Sequence, residues 1–183
     1  MAVFFKQPDQ LTSERFMLRV VQQDDFDALY AAASDPLIWE YHPSKRHQKK
    51  IFIDFFDAMM SDGCALLILD RQTQEVIGTT RFYDVSEEAC SVAIGYTFLT
   101  RAYWGGTANQ EIKAVLLNYA FGFSGIERVI FHIAASNIRS QKAIEKIGAL
   151  YSHQEWRGFS PATPIEHCVY YLTRNINEIL KSN

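Results

Sequence analysis

The chain is short of the residues that mark several large classes of protein. It has three cysteines in 183 residues, and Cys64, Cys90 and Cys168 are widely spaced within apolar runs. An odd, scattered set of thiols excludes a disulfide framework and fits buried thiols in a reducing compartment. No cysteine pair has metal-ligand spacing, and the five histidines (His42, His47, His132, His153, His167) form no H-x-x-x-H pattern, so no metal is expected. No stretch reaches the roughly 18 consecutive apolar residues of a membrane helix, and the apolar part of Met1–Lys6 is too short for a secretory signal. The formal net charge is −3, and Lys45-Arg46 and Lys49-Lys50 are the most basic local features. Those pairs read as the solvated flank of a helix start and exert no general pull toward nucleic acid. The expectation is a cytoplasmic protein with neither nucleic acid nor membrane among its partners. A homodimer is left open.

Familiar phosphate and nucleophile motifs are missing too. There is no G-x-x-x-x-G-K-[ST], no G-x-G-x-x-G after a strand, and no G-x-S-x-G elbow. What the chain does have is apolar mass. Apolar residues make up 48% and aromatics 14%, enough for one domain spanning residues 1–183 with a core of its own.

The stretch from Tyr103 to Phe123 organises the rest. A glycine-containing turn, Trp104-Gly105-Gly106-Thr107-Ala108-Asn109, opens an amphipathic helix with apolar residues at Ile112, Val115, Leu116, Tyr119, Ala120 and Phe123. A strand, Ser91 to Leu99, precedes it. Strand, glycine turn and helix start leave backbone N–H groups without intrahelical partners at the positive end of the helix dipole, a cradle for phosphate. The alternative is a glycine turn that only lets the helix pack tightly on a sheet.

Elsewhere, Arg15 to Val21 alternates as a first strand. Asp24-Asp25 caps a helix through Phe26, Leu29, Tyr30 and Ala33, which Ser34-Asp35-Pro36 ends. Ile51 to Met59 carries a second helix, stopped near Asp62-Gly63. Cys64 to Leu69, Val76 to Tyr83 and Cys90 to Leu99 form an antiparallel meander. Glu127 to Ala134 is a strand. Asn137 caps a helix that runs to Ile147 and ends at Gly148, and Leu150 to Trp156 and His167 to Thr173 are two late strands. The crossover from Leu99 through the long helix to Glu127 predicts a parallel pair, so the glycine turn and the Asn137 region gather at the carboxyl ends of neighbouring strands.

Several of these segments carry a family resemblance. Leu11-Thr12-Ser13-Glu14-Arg15-Phe16-Met17-Leu18-Arg19, Ser34-Asp35-Pro36, Ile77-Gly78, Ile94-Gly95-Tyr96, Tyr103-Trp104-Gly105, and Asn137-Ile138-Arg139-Ser140 with Glu145-Lys146-Ile147-Gly148 occur in an order and spacing similar to the GNAT N-acetyltransferases of RimJ/RimL type. The resemblance implies an α/β fold: a mixed, mainly antiparallel sheet with a splayed parallel central strand pair and helices on both faces. It also implies acetyl-CoA as co-substrate, without a metal, and transfer of acetyl to a primary amine on a protein N-terminus or a small molecule.

By the same resemblance, pantetheine lies along the backbone of Thr97, Phe98 and Leu99. The diphosphate meets the turn Trp104, Gly105, Gly106, Thr107, Ala108 and Asn109. Asn137 and Ser140 face the thiol end, and Lys146 lies near the nucleotide. Ser140 is the candidate acid for the leaving thiolate, and an amide near Phe98 or Leu99 the candidate for the oxyanion. Three positions depart from the family pattern: Thr107 and Asn109 stand where small residues usually do, and Ala93 stands where some relatives have a glutamate base. Asp84, Glu87 and Glu88 could act through water instead. The acceptor pocket is expected from Trp39-Glu40-Tyr41, Phe82-Tyr83 and the segment from Trp156 to Pro164. His132 reads as a satisfied core histidine and Trp104 as packing beneath the turn. A coenzyme-binding module without catalysis is one alternative, and an interaction domain whose turn only packs is another.

Overall fold

The computed structural model describes residues 3–158 and 164–181. Strand β1 (Gln10–Thr12) and β2 (Phe16–Val20) lead through a short 3-10 turn into α1 (Phe26–Ala33), then α2 (Lys49–Asp62). The meander follows as β3 (Ala65–Asp70), β4 (Val76–Ser86) and β5 (Ser91–Leu99). Helix α3 (Ala108–Phe121) crosses to β6 (Arg128–Ala134), and α4 (Ile138–Glu145), β7 (Leu150–Gly158), β8 (Pro164–Thr173) and α5 (Arg174–Lys181) complete the chain. The eight strands form one sheet in the order β1-β2-β3-β4-β5-β6-β8-β7. Every neighbouring pair is antiparallel except β5 and β6, which run parallel.

The sheet is sandwiched. Ile112, Leu116 and Ala120 of α3, with Ile144 of α4, cover one face over Leu18, Ile68, Val92 and Phe131. Leu29 of α1 and Phe52, Phe55, Phe56 and Met59 of α2 cover the other over Leu67 and Phe98. Because successive strand residues point to opposite faces, Leu66 and Ile68 join the first cluster while Ala65, Leu67 and Leu69 join the second. This double burial explains why β3 is a continuous apolar run. No helix among the described residues is long and apolar enough to cross a membrane.

Several expectations need correcting. Strand β1 at the sheet edge and helix α5 were not legible as periodic segments. Asp25 does not cap α1 with its side chain. Its carboxylate receives both Arg19 nitrogens at 2.7 Å and the Gln22 N–H at 2.7 Å, closing the turn that precedes the helix. Cys168 is buried, but Cys64 and Cys90 are half-buried at turns. Arg46 is not part of a solvated flank: it is 5% exposed, with its guanidinium over the Phe55 ring of α2.

Candidate functional site

The site begins where the parallel pair comes apart. Strands β5 and β6 are in register only from Ser91↔Arg128 to Ala93↔Ile130; beyond that they diverge around a cavity of about 500 Å³. A bulge in β5 drives the separation. Against β4 the register passes from Arg81↔Gly95 to Thr79↔Phe98, three steps on β5 against two on β4, with Tyr96 at φ +54°. The Tyr96 ring is held by Tyr83, 5.2 Å away edge-on, and by the Arg81 guanidinium 3.5 Å above it. Gly78 permits the approach of β4, since a Cβ there would lie 2.0 Å from the Phe98 carbonyl oxygen. The Thr100 N–H bonds across to Ile77, so strand alternation turns the Phe98 amide toward β4 and the Leu99 amide toward the gap. Of the two oxyanion candidates, Leu99 is therefore the one facing the cavity, and Phe98 contributes its ring to the wall.

The glycine turn forms the floor at the end of β5. Gly105 sits at φ +73°, and a Cβ on Gly105 or Gly106 would meet no protein atom within 4 Å. Tight packing on the sheet is thus not what these glycines serve. The first α-helical N–H bond after the turn runs from Glu111 to the Thr107 carbonyl, leaving the amides ahead of it without intrahelical acceptors. Gly105, Gly106 and Asn109 line the cavity. Thr107 and Ala108 do not: the Thr107 hydroxyl turns away and accepts from Arg15 Nη2 at 2.9 Å, and Ala108 is buried in the core. Trp104 does pack beneath the turn, donating its indole N–H to the Leu99 carbonyl at 2.9 Å. It also lines the cavity, with the Arg139 guanidinium 4.0 Å above its ring.

The end of β6 supplies the facing wall. Asn137 accepts the Ser140 N–H on its Oδ1 at 3.2 Å, capping α4. Both residues line the cavity, as do Arg139, Lys142 and Lys146. Among the described residues no protein group hydrogen-bonds the Ser140 hydroxyl. Thr97, on the bulge, meets a buried cation. Lys113 of α3 is 3% exposed and donates to Thr97 Oγ1 at 2.9 Å, and Thr97 Oγ1 lies 2.7 Å from Thr80 Oγ1. Burial pushes the Lys113 ammonium down to about 7, because a low-dielectric site disfavours the charged form.

The far end of the cavity has a different lining. Trp39, His42, Arg46 and Tyr83 meet there with Asp84, His132 and Arg157. Phe82, expected here, instead faces the α3 core, 5.2 Å from Phe5. Glu40, Tyr41, Glu87 and Glu88 do not line the cavity. Trp156 is 69% exposed, and residues 159–163 of the expected acceptor segment lie outside the described residues. His132 is more than a core histidine: it lines the cavity with Nδ1 2.8 Å from the Tyr83 hydroxyl and Nε2 3.5 Å from Glu155. Desolvation pushes it down to about 4, with Arg157 adding to the effect. Burial likewise raises the Tyr83 phenol. Asp84 is ion-paired with Arg157.

Lys113, Arg46, Lys142 and Arg139 lay outside the sequence-derived site. Lys113 was findable, since it shares a helix row with Leu117, Ala120 and Phe121, a charge on an apolar stripe. Arg46 lies in a loop, where no periodicity reports depth.

A mixed sheet whose central parallel pair parts over an open glycine turn defines an α/β protein with a cavity between two of its strands. Residues 15–150 match the family model of the acetyltransferase (GNAT) domain. The chain belongs to that family, which uses acetyl-CoA, and is an acetyltransferase. It is similar to the uncharacterized N-acetyltransferase p20 of Bacillus licheniformis, 27% identical over 161 residues that cover 82% of this chain and 90% of p20. Its fold is shared with a GCN5-related N-acetyltransferase from Brucella melitensis, at TM-score 0.82 and 16% identity over 97% of this chain and 85% of that one. It is also shared with spermidine N-acetyltransferase from Vibrio cholerae, solved in complex with CoA and spermine, at TM-score 0.66 and 13% identity over 91% and 99%.

Proposed function

We propose that this protein transfers the acetyl group of acetyl-CoA to the nitrogen of a primary amine, and that it acts in the cytoplasm as a RimJ/RimL-like member of its family. One observation carries the coenzyme site: two glycines with no protein packed against them, at a helix start directly below the gap between β5 and β6. When bound, acetyl-CoA supplies an activated acetyl thioester. Amides of Gly105, Gly106 and Asn109 grip its diphosphate, and Arg139, Lys142 and Lys146 add positive charge. The open edge of β5 beyond Ala93 receives the pantetheine arm, and Leu99 N–H stabilises the developing oxyanion. Asn137 positions the start of α4, so that the Ser140 hydroxyl can protonate the leaving thiolate. The departure at Thr107 does not obstruct this arrangement, because its side chain is spent on Arg15 outside the cavity.

Among the described residues that line the cavity, no free carboxylate is offered as base. Ala93 is buried in the core, Asp84 is held by Arg157, and His132 is neutral at physiological pH. An amine with a reference pKa near 8 loses its proton at pH 7 for about 1 kcal/mol, against roughly 4–5 for lysine, so a water chain suffices for the former. The test is calorimetric titration with acetyl-CoA, followed by thiol release across a panel of amines. Saturable binding with turnover is expected. Absence of heat sinks the coenzyme site, and binding without turnover of any amine favours a non-catalytic module.

A further inference from the structure

The acceptor end of the cavity contains a charge that the fold leaves uncompensated. Arg46 is 5% exposed and lines the cavity. Among the described residues it makes no salt bridge and no hydrogen bond. Its guanidinium is stacked 3.8 Å over the Phe55 ring and 5.4 Å from the Trp39 ring, so its contacts are with aromatic faces. Burying a guanidinium costs several kcal/mol unless an anion compensates it. Arginine, unlike lysine, cannot escape by shedding its proton; burial lowers it only to about 10.

Among the described residues, its surroundings supply no anion. His42 accepts the Ser44 N–H on Nδ1 at 3.0 Å and is pushed down to about 3 by desolvation and by Arg46 itself. Tyr96 raises the Arg46 value electrostatically, while Arg81, bound to Asp62, lowers it. Asp84 is the sole carboxylate on the described cavity wall, and it is engaged by Arg157. Arg46 is also close to the expected chemistry. Trp39 touches it on one side and stacks at 5.1 Å against Phe98 on the other, next to Leu99 at the strand gap.

We propose that Arg46 is the anion anchor of the acceptor pocket, and that the acceptor is a small primary amine bearing a carboxylate, of the amino-acid class. This rests on the acetyltransferase reading above. A planar guanidinium presents paired N–H donors matched to the two oxygens of a carboxylate, and the aromatic walls suit a compact organic body better than a polyanion. A polyamine would bring further positive charge against a buried cation, where like charges repel most strongly. The ligand thus supplies the counter-ion that the protein withholds, and selectivity follows, since an amine lacking the carboxylate leaves the charge buried and unpaired.

The experiment uses the whole protein and acceptor pairs that differ by one carboxylate: phenylalanine with phenethylamine, leucine with isoamylamine, and β-alanine with ethylamine. Spermidine and an uncharged N-terminal peptide amide serve as competitors. In at least one pair the carboxylate form is expected to have a kcat/KM, taken per unprotonated amine, about 30-fold higher, the yield of one charge-assisted contact. Arg46→Gln should collapse that ratio to within about threefold, and Arg46→Lys should retain part of it. Melting separates a ligand anchor from a structural residue: Arg46→Met should raise Tm by about 2–4 °C, since an unpaired buried charge is removed. Failure of acetyl-CoA to bind would refute the acetyltransferase reading itself. Binding without turnover of any acceptor would refute that reading too. Once turnover is seen, two results overturn the Arg46 assignment alone: equal or better turnover of carboxylate-free amines, or a fall in Tm on removing Arg46.

Discussion

Two cations are buried against the two faces of the same bulged strand, and they meet the cost of burial differently. Lys113 lies on the α3 side with its ammonium on Thr97, and Arg46 lies on the α2 side against aromatic rings. Among the described residues, neither has a carboxylate partner. Lysine can give up its proton, and its value falls to about 7; arginine keeps its charge at any pH the protein meets. Lys113 can therefore rest as a neutral donor beside Thr97, while Arg46 stays an unsatisfied charge until something negative arrives. The difference assigns a structural role to one and a recognition role to the other.

The most severe way to break this comparison is Lys113→Arg. A permanent charge in the Lys113 site, with a bulkier head, should cost roughly 5 kcal/mol and leave little folded protein at 25 °C, checked by circular dichroism and urea melts. Near-normal stability would show that the site tolerates charge and that the contrast is false.

The pH dependence of wild-type stability is the next largest effect. Between about pH 7 and 10 the unfolded chain holds a proton on Lys113 that the folded chain does not. Stability should therefore rise with pH across that window, by up to roughly 4 kcal/mol. Comparing urea midpoints from pH 7 to 9.5, Lys113→Met should be more stable at pH 7 and lack this component of the slope. Parallel curves for the two proteins would contradict it.

Ser140→Ala sharpens the comparison by acting at the site without touching either cation. It should lower kcat about tenfold or more at unchanged acetyl-CoA affinity, and a wild-type kcat would remove Ser140 as the acid. The smallest effect belongs to a partly exposed pair at the start of α3: Glu111→Gln breaks the 2.7 Å contact with half-exposed Arg15, and should shift stability by less than about 1 kcal/mol in a denaturant melt.

How much of this could be read beforehand depended on what repeats along the chain. The meander, the α3 stripe, the Gly63 and Gly148 stops and the Asn137 cap were legible because period, capping and glycine punctuation are local signals. Strand β1 is three residues long, too short for a period to show. The parallel pair followed from connectivity, but its parting depended on a bulge at Tyr96 that no local pattern announces. At the site, Gly105, Gly106, Asn109, Asn137, Ser140 and Lys146 came to one cavity as expected, while Thr107 and Ala108 turned out of it. Arg46 read as a surface charge because its neighbour Lys45 and the following lysines suggest a solvated flank; depth in a loop is set by tertiary packing alone.

The account stands on the open glycine turn holding the coenzyme. Its most direct test is calorimetric titration of acetyl-CoA into the wild type and Gly106→Asp, with melting curves for both. A side chain at Gly106 meets no protein atom, so folding should be unaffected, while a carboxylate beside the diphosphate should weaken binding at least tenfold. Equal affinity in the two proteins would contradict the account.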